Sequence, residues 1–278
     1  MLKLGFSTCP NDTFIFDALV HSKISSAPEL EVVLADVSEL NDLSLKAALD
    51  VTKISFGAIA SASRDYQILD SGSALGFGCG PLLIAKEIPP QVDEWIKKAS
   101  IAIPGKKTTA NLLLSMAYPE TGKRTALLFS EIEDAVLEGR VDAGLIIHEN
   151  RFTFKERGLQ QIIDLGAFWE QKTGLPIPLG CIAVKRNLPE NQKLNIQNKI
   201  RESIEFAFKY PDDSSKYIAE LAQTMNPDVM RMHIKLYVNE FSLSLGSKGR
   251  EAVKRLLEEG IKAGILPEPI NPLFVSSD

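Results

Sequence analysis

The sequence is poor in cysteine, in basic charge and in long apolar runs. Its three cysteines, Cys9, Cys79 and Cys181, are widely separated and odd in number, so we expect reduced thiols rather than a disulfide framework or a structural zinc site. Acidic residues outnumber basic ones by 36 to 31, and no basic run indicates nucleic-acid binding. No apolar segment approaches the roughly 20 residues that a membrane span needs. These absences predict no nucleic-acid partner, no membrane partner and no metal.

Signals for phosphate binding and for secretion are also missing. The glycine-dense stretch at residues 72–80 contains no G-x-x-x-x-G-K-[ST] motif, and it lacks the strand-to-helix context of G-x-G-x-x-G. Its glycines indicate instead a bend and a close approach of the backbone. The chain begins with an apolar segment that has no basic stretch and no small-residue cleavage site, so we expect a cytoplasmic protein.

Short apolar segments alternate with amphipathic helical segments over the first two thirds of the chain, which predicts an α/β fold. The predicted strands are residues 2–6, 31–35, 51–57, 81–85, 101–103, 141–148, 160–165 and 179–184. The last third has helical periodicity almost throughout, over residues 196–209, 214–223, 227–241 and 248–263.

Two segments, residues 81–86 and 181–185, are placed to cross between two lobes. Such a double crossing is typical of the type II periplasmic-binding-protein fold, which has two lobes and a ligand cleft between them. We therefore predict this α/β architecture, with mixed sheets flanked by helices. The expected larger, discontinuous lobe comprises residues 1–85 and 186–278, and the expected smaller, continuous lobe comprises residues 86–185.

A histidine ends the strand predicted at residues 141–148. Functional groups in open α/β sheets lie beyond such carboxyl ends, so His148 is either a hydrogen-bonded terminal residue or a reactive group. An imidazole near its ordinary pKa is suited to accept a proton at neutral pH. Glu149 could orient the ring, although strand alternation points it away. The apolar stretch at residues 168–178 is expected to form a loop that lines one wall of the site.

Two strand–turn–helix units could hold a ligand oxygen. In the first, Asn11, Asp12 or Thr13 can each cap a helix predicted at residues 14–20. In the second, Thr108 and Thr109 open a helix, where hydroxyls, amides and the helix dipole favour a carboxylate. Lys106 and Lys107, just before this helix, would add attraction. Simple capping explains either unit alone, but two units facing one cleft favour ligand binding.

Lys53 and Ser55 share one face of the strand predicted at residues 51–57. A lysine in an apolar strand needs either an anionic partner or an edge position, because buried charges are rarely unpaired. Both explanations remain open: contact with an anionic substrate, or exposure at the edge of a sheet.

The sequence closely resembles the 1,4-dihydroxy-6-naphthoate synthase family. The matching stretches are STCPNDTFIF at residues 7–16, TKIS at 52–55, PG at 104–105, TT at 108–109, GLIIHENRFT at 144–153, TGLPIPLG at 173–180 and YVNEFSL at 237–243. They extend over nearly the whole chain. The departures from the family pattern, Thr8 and Asn150, involve neither the histidine nor the threonine pair.

The resemblance implies a carbon–carbon lyase that cleaves cyclic dehypoxanthinyl futalosine to 1,4-dihydroxy-6-naphthoate, with release of a dihydroxyacetone-type fragment, in menaquinone biosynthesis. It also implies that a small carboxylate substrate lies between the lobes without a metal or organic cofactor, and that His148 is the proton acceptor, or general base. The expected substrate-binding residues are Lys53, Ile54, Ser55, Thr108, Thr109 and Ala110, with Asn11 and Asp12 on the opposite wall.

Two alternatives stay open at the level of sequence. The first is a solute-binding or sensing protein of the same fold without chemistry, since a fold does not fix a function. The second is the chorismate dehydratase of the same pathway, against which the CPNDTF and HENRF stretches favour the naphthoate synthase. A monomer and a homodimer are equally compatible with the sequence.

Overall fold

The computed structural model describes residues 1–222 and 226–275, which form eleven strands and thirteen α-helices. The strands are β1 Leu2–Phe6, β2 Leu30–Leu34, β3 Val51–Ser55, β4 Tyr66–Ile68, β5 Ala74–Gly76, β6 Leu82–Ala85, β7 Ile101–Ile103, β8 Arg124–Ala126, β9 Ala143–Ile146, β10 Gln160–Asp164 and β11 Ile177–Lys185. The helices are α1 Pro10–Val20, α2 Val37–Leu45, α3 Phe56–Ala62, α4 Val92–Trp95, α5 Thr109–Ala117, α6 Ile132–Leu137, α7 Asn150–Thr153, α8 Leu165–Thr173, α9 Glu190–Lys209, α10 Ser215–Leu221, α11 Pro227–Tyr237, α12 Glu240–Leu243 and α13 Gly246–Lys262.

The strands form two mixed sheets. In the first sheet the order is β2-β1-β3-β11-β4, with β5 also paired to β11; β1 is parallel to β2 and β3, and β11 is antiparallel to its neighbours. In the second sheet the order is β10-β6-β9-β7-β8, and β7 is parallel to β8 and β9. Parallel neighbours need crossover connections, and helices supply them here. The predicted α/β architecture with mixed sheets flanked by helices is confirmed.

The predicted lobe boundaries do not coincide with the division between the sheets. Strand β6 belongs to the second sheet although it precedes residue 86, and β11 belongs to the first sheet although it lies before residue 186. The chain therefore passes from the first sheet to the second between β5 and β6, and returns between β10 and β11. The division into residues 1–85 with 186–278 and residues 86–185 remains a prediction. A division drawn by sheet membership would instead place β6 with the second sheet and β11 with the first.

Several local predictions were wrong in their extent or type. The strand predicted at residues 51–57 ends at Ser55, and helix α3 begins at once. The apolar stretch expected to be a loop includes the second half of α8, whose Trp169 is fully buried and donates to the Pro176 carbonyl at 3.1 Å. Trp169 therefore stabilises the core and does not wall a site. In the helix predicted at residues 214–223, Gln223 lies outside the described residues.

A single apolar core joins the two sheets. It contains Ile54 of β3 and Leu145 of β9, together with Leu113 of α5, and α3 packs against α5 within it. Two smaller cores cover the remaining faces of the sheets. None of the helices in the described ranges has the length and hydropathy required to cross a membrane.

Backbones meet directly where the chain passes between the sheets. A Cβ atom added to Gly80 would lie 2.2 Å from the Cα of Gly166, so neither position has room for a side chain. Arg151 donates to the Gly80 carbonyl at 2.5 Å and pairs with Asp164 at 2.7 Å. Asp164 also caps α8 through the amides of Gly166 and Ala167. These contacts therefore hold the two connections between the sheets against each other.

We expect Gly80→Ala to destabilise the protein by about 3 kcal/mol, because the new methyl group collides with backbone that cannot rotate away. Thermal unfolding of the purified variant would measure the loss. Gly158→Ala is the matched control: Gly158 has a φ of +77° but no atom within 4 Å of an added Cβ, so only backbone strain of about 1 kcal/mol is expected. Equal losses in the two variants would contradict the close-contact explanation.

Candidate active site

A cleft is lined by residues that follow strands of both sheets. Its lining residues are Ser7, Asn11, Asp12, Val37, Lys53, Ile54, Ser55, Ala74, Cys79, Pro81, Thr108, Thr109, Ala110, Ile147, His148, Leu179, Gly180 and Tyr237. The structure thus brings together the predicted base and the eight predicted substrate-binding residues. The reason is topological: β1 and β3 are parallel neighbours in one sheet, β7 and β9 are parallel neighbours in the other, and ligands bind beyond carboxyl ends.

His148 lies in a turn between β9 and α7, not in the strand. Strand β9 ends at Ile146, and the backbone of His148 has a φ of +59°, a left-handed conformation that is uncommon for residues other than glycine. The strand predicted to reach residue 148 was therefore too long. Because the turn removes the strand alternation, Glu149 does not point away from His148: it is buried, with a carboxylate oxygen within 4.8 Å of a ring nitrogen of His148.

Burial holds the imidazole of His148 neutral. Desolvation lowers its pKa to about 4, since the effect of burial and of nearby Lys53 exceeds the opposing effect of Asp12. The expectation of an ordinary pKa was therefore wrong. Its Nε2 atom is buried without a hydrogen-bond partner. The ring packs against Phe129 at 4.8 Å and against His233 at 6.0 Å between centroids.

Lys53 forms a buried ion pair with Asp12. The distance from Nζ to the carboxylate is 3.0 Å, and Nζ also donates to the Gly72 carbonyl at 3.2 Å. Because β3 lies between β1 and β11, the alternative of an exposed edge strand was wrong. Asp12 also accepts hydrogen bonds from the amide and hydroxyl of Ser7. The carboxylate thus occupies the turn that was expected to hold a ligand oxygen.

Asn11 connects the ion pair to a second histidine. Its amide group donates to Asp12 at 2.9 Å, and its carbonyl oxygen lies 2.9 Å from Nε2 of His233 on α11. Neither Asn11 nor Asp12 caps α1, which begins one residue after Cys9 without a side-chain cap. The prediction of capping by Asn11, Asp12 or Thr13 was wrong, because all three lie inside the first turn.

Thr108 caps α5 as predicted, and both threonine hydroxyls are engaged by the protein. Thr108 accepts from the amide of Asn111 and donates to Gly105. Thr109 accepts from the amide of Gly57 at 3.1 Å and donates to the Leu179 carbonyl at 2.6 Å. The backbone amides of Thr109 and Ala110 are the first two of α5 and have no acceptor within the helix. These amides, rather than the hydroxyls, are the groups that an anion could meet.

The two lysines expected to add attraction do not face the cleft. Lys106 and Lys107 are exposed and absent from its lining. Ser55 is buried at the start of α3, where its hydroxyl accepts from the Asn41 side chain at 3.0 Å and its amide donates to the Asn41 oxygen at 2.9 Å. The positive character of this wall therefore comes from Lys53 and the amides at the start of α5.

Two buried residues beside His148, Cys9 and His233, were not assigned to the site from the sequence, and Glu149 was considered only as a group that could orient the ring. Glu149 lies 3.7 Å from His233, and the donor atoms of Cys9, His148 and Glu149 all lie within 4.8 Å of one another. Of the described side chains, these three form the group that could hold a metal ion. Spacing could not reveal the group, because Cys9 and His233 are far in the sequence from the adjacent pair His148 and Glu149, and the residues follow no paired-ligand pattern. Tyr237, a further lining residue, was within a stretch that carried the family resemblance.

Comparison with solved structures supports the fold. A protein from Archaeoglobus fulgidus superposes with a TM-score of 0.90 at 32% identity, covering 95% of this chain and 98% of that chain. The periplasmic aliphatic sulphonate binding protein SsuA from Escherichia coli superposes with a TM-score of 0.68 at 13% identity, covering 97% of this chain and 89% of that chain. The predicted periplasmic-binding-protein-like fold is confirmed.

Comparison of sequences gives the family. The chain is 43% identical to the 1,4-dihydroxy-6-naphthoate synthase of Thermus thermophilus, over 99% of both chains. It is 40% identical to the enzyme of the same name from Streptomyces coelicolor, over 96% of this chain and 95% of that one. The sequence model of a family described as menaquinone biosynthesis matches residues 2–261. The chain therefore belongs to this menaquinone biosynthesis family.

Proposed function

We propose that this protein is a 1,4-dihydroxy-6-naphthoate synthase, a lyase that converts cyclic dehypoxanthinyl futalosine to 1,4-dihydroxy-6-naphthoate and releases a dihydroxyacetone-type fragment. The observation that carries the proposal is that His148 and the Lys53–Asp12 pair line one cleft, which also includes the start of α5. This arrangement offers one proton acceptor, one cation and one anion-binding helix terminus. A carboxylate substrate that loses a proton needs all three.

The carboxylate of the substrate binds at the start of α5. The amides of Thr109 and Ala110 point toward an anion, and the partial positive charge of the helix terminus adds to their attraction. The hydroxyls of Thr108 and Thr109 hold this terminus in place through bonds to Gly105 and Leu179. Ile54 contributes apolar surface to the same wall, and Ser55 fixes the adjoining start of α3.

His148 is the general base. Its neutral imidazole removes a proton from a hydroxyl or activated C–H group of the sugar-derived ring, which starts carbon–carbon cleavage and the eliminations that form the aromatic product. Lys53 stabilises negative charge that develops on oxygen, because a buried cation acts strongly where water is excluded. Approach of an anionic substrate raises the pKa of the imidazole from its low resting value, so the base becomes stronger once the substrate is bound.

The competing functions receive less support. The relatives that match over nearly the whole chain carry the naphthoate synthase name, whereas the solute-binding proteins share only the fold at 12–14% identity. The three cysteines are free and buried, the state that thiols keep in reducing compartments, which supports the proposed cytoplasmic location. Incubation with the futalosine-derived substrate and with chorismate would separate the synthase, the dehydratase and a binder, because only the synthase forms a fluorescent naphthalene product.

His148→Asn should lower kcat by about 10²- to 10⁴-fold, the usual contribution of general-base catalysis, while the far-ultraviolet circular dichroism stays unchanged. Formation of the naphthalene product, followed by its fluorescence, measures the rate. His21→Asn is the matched control, because the side chain of His21 is 48% exposed and pairs with Asp17 away from the cleft. Near-normal turnover by the His148 variant would reject its role as base.

Lys53→Met should lower kcat/KM by about 10²-fold or more, since the change removes the cation from the site and leaves Asp12 without its partner. The control is Lys193→Met, which removes a second buried lysine that binds Gln67 at 2.7 Å and Glu190 at 3.1 Å. This variant should lose stability but keep kcat/KM within about twofold of the native value. Similar kinetic losses in both variants would indicate a general effect of destabilisation.

The acid limb of the kcat/KM profile should have its midpoint at about pH 4, because burial lowers the pKa of His148 to about 4 and this profile reports the free enzyme. Activity is therefore retained as the pH falls through 6.5, the ordinary value for histidine, and is lost at lower pH. Rates measured from pH 3.5 to 8, with circular dichroism at each pH, provide the test. An acid limb with its midpoint near pH 6.5, measured while the protein is still folded, would contradict a desolvated base.

A further inference from the structure

Three buried polar atoms beside the cleft lack hydrogen-bond partners. They are Nε2 of His148, Oε2 of Glu149 and Nδ1 of His233. Glu149 is 6% exposed and His233 is fully buried. A buried polar group without a partner destabilises the folded state, and native proteins keep few of them. Three such atoms in adjoining side chains therefore indicate that the cluster has a ligand of its own.

The thiol of Cys9 completes this cluster. Cys9 lies at the end of the β1–α1 turn, and its sulfur is within 4.8 Å of the donor atoms of both His148 and Glu149. Cys9 does not line the cleft, so the proposed reaction does not use it. Sulfur, imidazole nitrogen and carboxylate oxygen are together the ligand types that zinc prefers in proteins.

Hydrogen bonding fixes the tautomer of His233 and leaves the lone pair of one ring nitrogen available to a metal ion. Asn11 donates through its amide group to Asp12, so its carbonyl oxygen faces Nε2 of His233 at 2.9 Å. Nε2 must therefore carry the proton, and Nδ1 keeps its lone pair, 3.7 Å from the Glu149 carboxylate. A histidine that binds a metal through one nitrogen usually donates its other N–H group in this way.

We propose that Cys9, His148 and Glu149 bind a divalent transition-metal ion of the zinc class, beside Nδ1 of His233, which lies 3.7 Å from the Glu149 carboxylate. The donor atoms around zinc lie about 3.6 Å apart in a tetrahedral site, so separations of up to 4.8 Å require side-chain shifts of about 1 Å. A thiolate and a carboxylate supply two negative charges, which balance a divalent cation in this buried place.

Metal binding at this cluster competes with protons. Burial and the nearby carboxylates of Glu149 and Asp12 raise the pKa of the Cys9 thiol, and burial raises the pKa of Glu149. A metal ion must displace these protons before it binds, so affinity increases with pH. His148 and His233 are already neutral at physiological pH, because burial lowers the pKa of both.

Occupation of the cluster would inhibit the enzyme, an expectation that rests on the proposed role of His148 as base. A neutral imidazole has one lone pair, which either accepts a proton or binds a metal ion. The metal-bound ring can no longer remove a proton from the substrate. The inferred site is therefore an inhibitory one, and Cys9 determines its affinity without taking part in the reaction.

Titration of the metal-free, full-length protein with Co²⁺ tests the site directly. We expect one cobalt ion per chain, the intense visible bands of tetrahedral cobalt and an ultraviolet thiolate-to-cobalt charge-transfer band. Cys9→Ala should abolish the charge-transfer band and weaken binding by about 100-fold or more. Cys9→Ser, which nearly keeps the side-chain volume, should behave in the same way if the alanine variant is unstable. Absence of the charge-transfer band in the native protein would overturn the proposal.

Cys181→Ala is the control, because Cys181 is also free and fully buried but lies in β11. This variant should keep the cobalt spectrum and the sensitivity to Zn²⁺, whereas the Cys9 variants should keep their basal turnover and resist Zn²⁺. A charge-transfer band that survives in both Cys9 variants would contradict the assigned ligands. A native protein that binds cobalt through Cys9 but stays fully active would uphold the site and reject His148 as base.

Discussion

The hydroxyl of Thr109 is the junction on which the site depends. It accepts a hydrogen bond from Gly57 at the start of α3 and donates one to Leu179 in β11, so one side chain of the second sheet's α5 fixes two segments of the first sheet. Gly57 is indispensable to this contact, because an added Cβ would lie 2.7 Å from the Thr108 carbonyl. The amides at the start of α5, to which we assign the substrate carboxylate, are thereby held at a set position relative to Lys53.

The charge balance around Lys53 explains why the imidazole of His148 is neutral. Lys53 compensates Asp12 directly at 3.0 Å, and Asn11 and Ser7 occupy further hydrogen-bonding positions of the same carboxylate. Asp12 therefore has little capacity left to stabilise an imidazolium ion nearby, and burial decides the pKa of His148. The cleft carries no excess negative charge, which favours the entry of a carboxylate substrate.

The sequence predicted the elements whose signals are local. Strand β1 was predicted with its observed bounds, and Thr108 was recognised as a helix cap, because apolar alternation and capping chemistry involve neighbouring residues. The helix around Trp169 was not predicted, because the proline and glycine residues of the segment suggested a loop. The burial of this helix depends on strands that are distant in the sequence. The left-handed turn at His148 and the proximity of Cys9, Glu149 and His233 also depend on tertiary packing, which periodicity does not encode.

The proposed catalytic base and the proposed metal site have one physical origin. The imidazole that we assign as base is kept neutral by burial, and it lines the cleft from a turn in which the φ of His148 is +59°. The same burial places a free lone pair among a thiol, a carboxylate and a second neutral imidazole, which is the environment that zinc prefers. A fold that prepares His148 to take a proton therefore also prepares it to bind a metal ion, and the high pKa of Cys9 acts against metal binding.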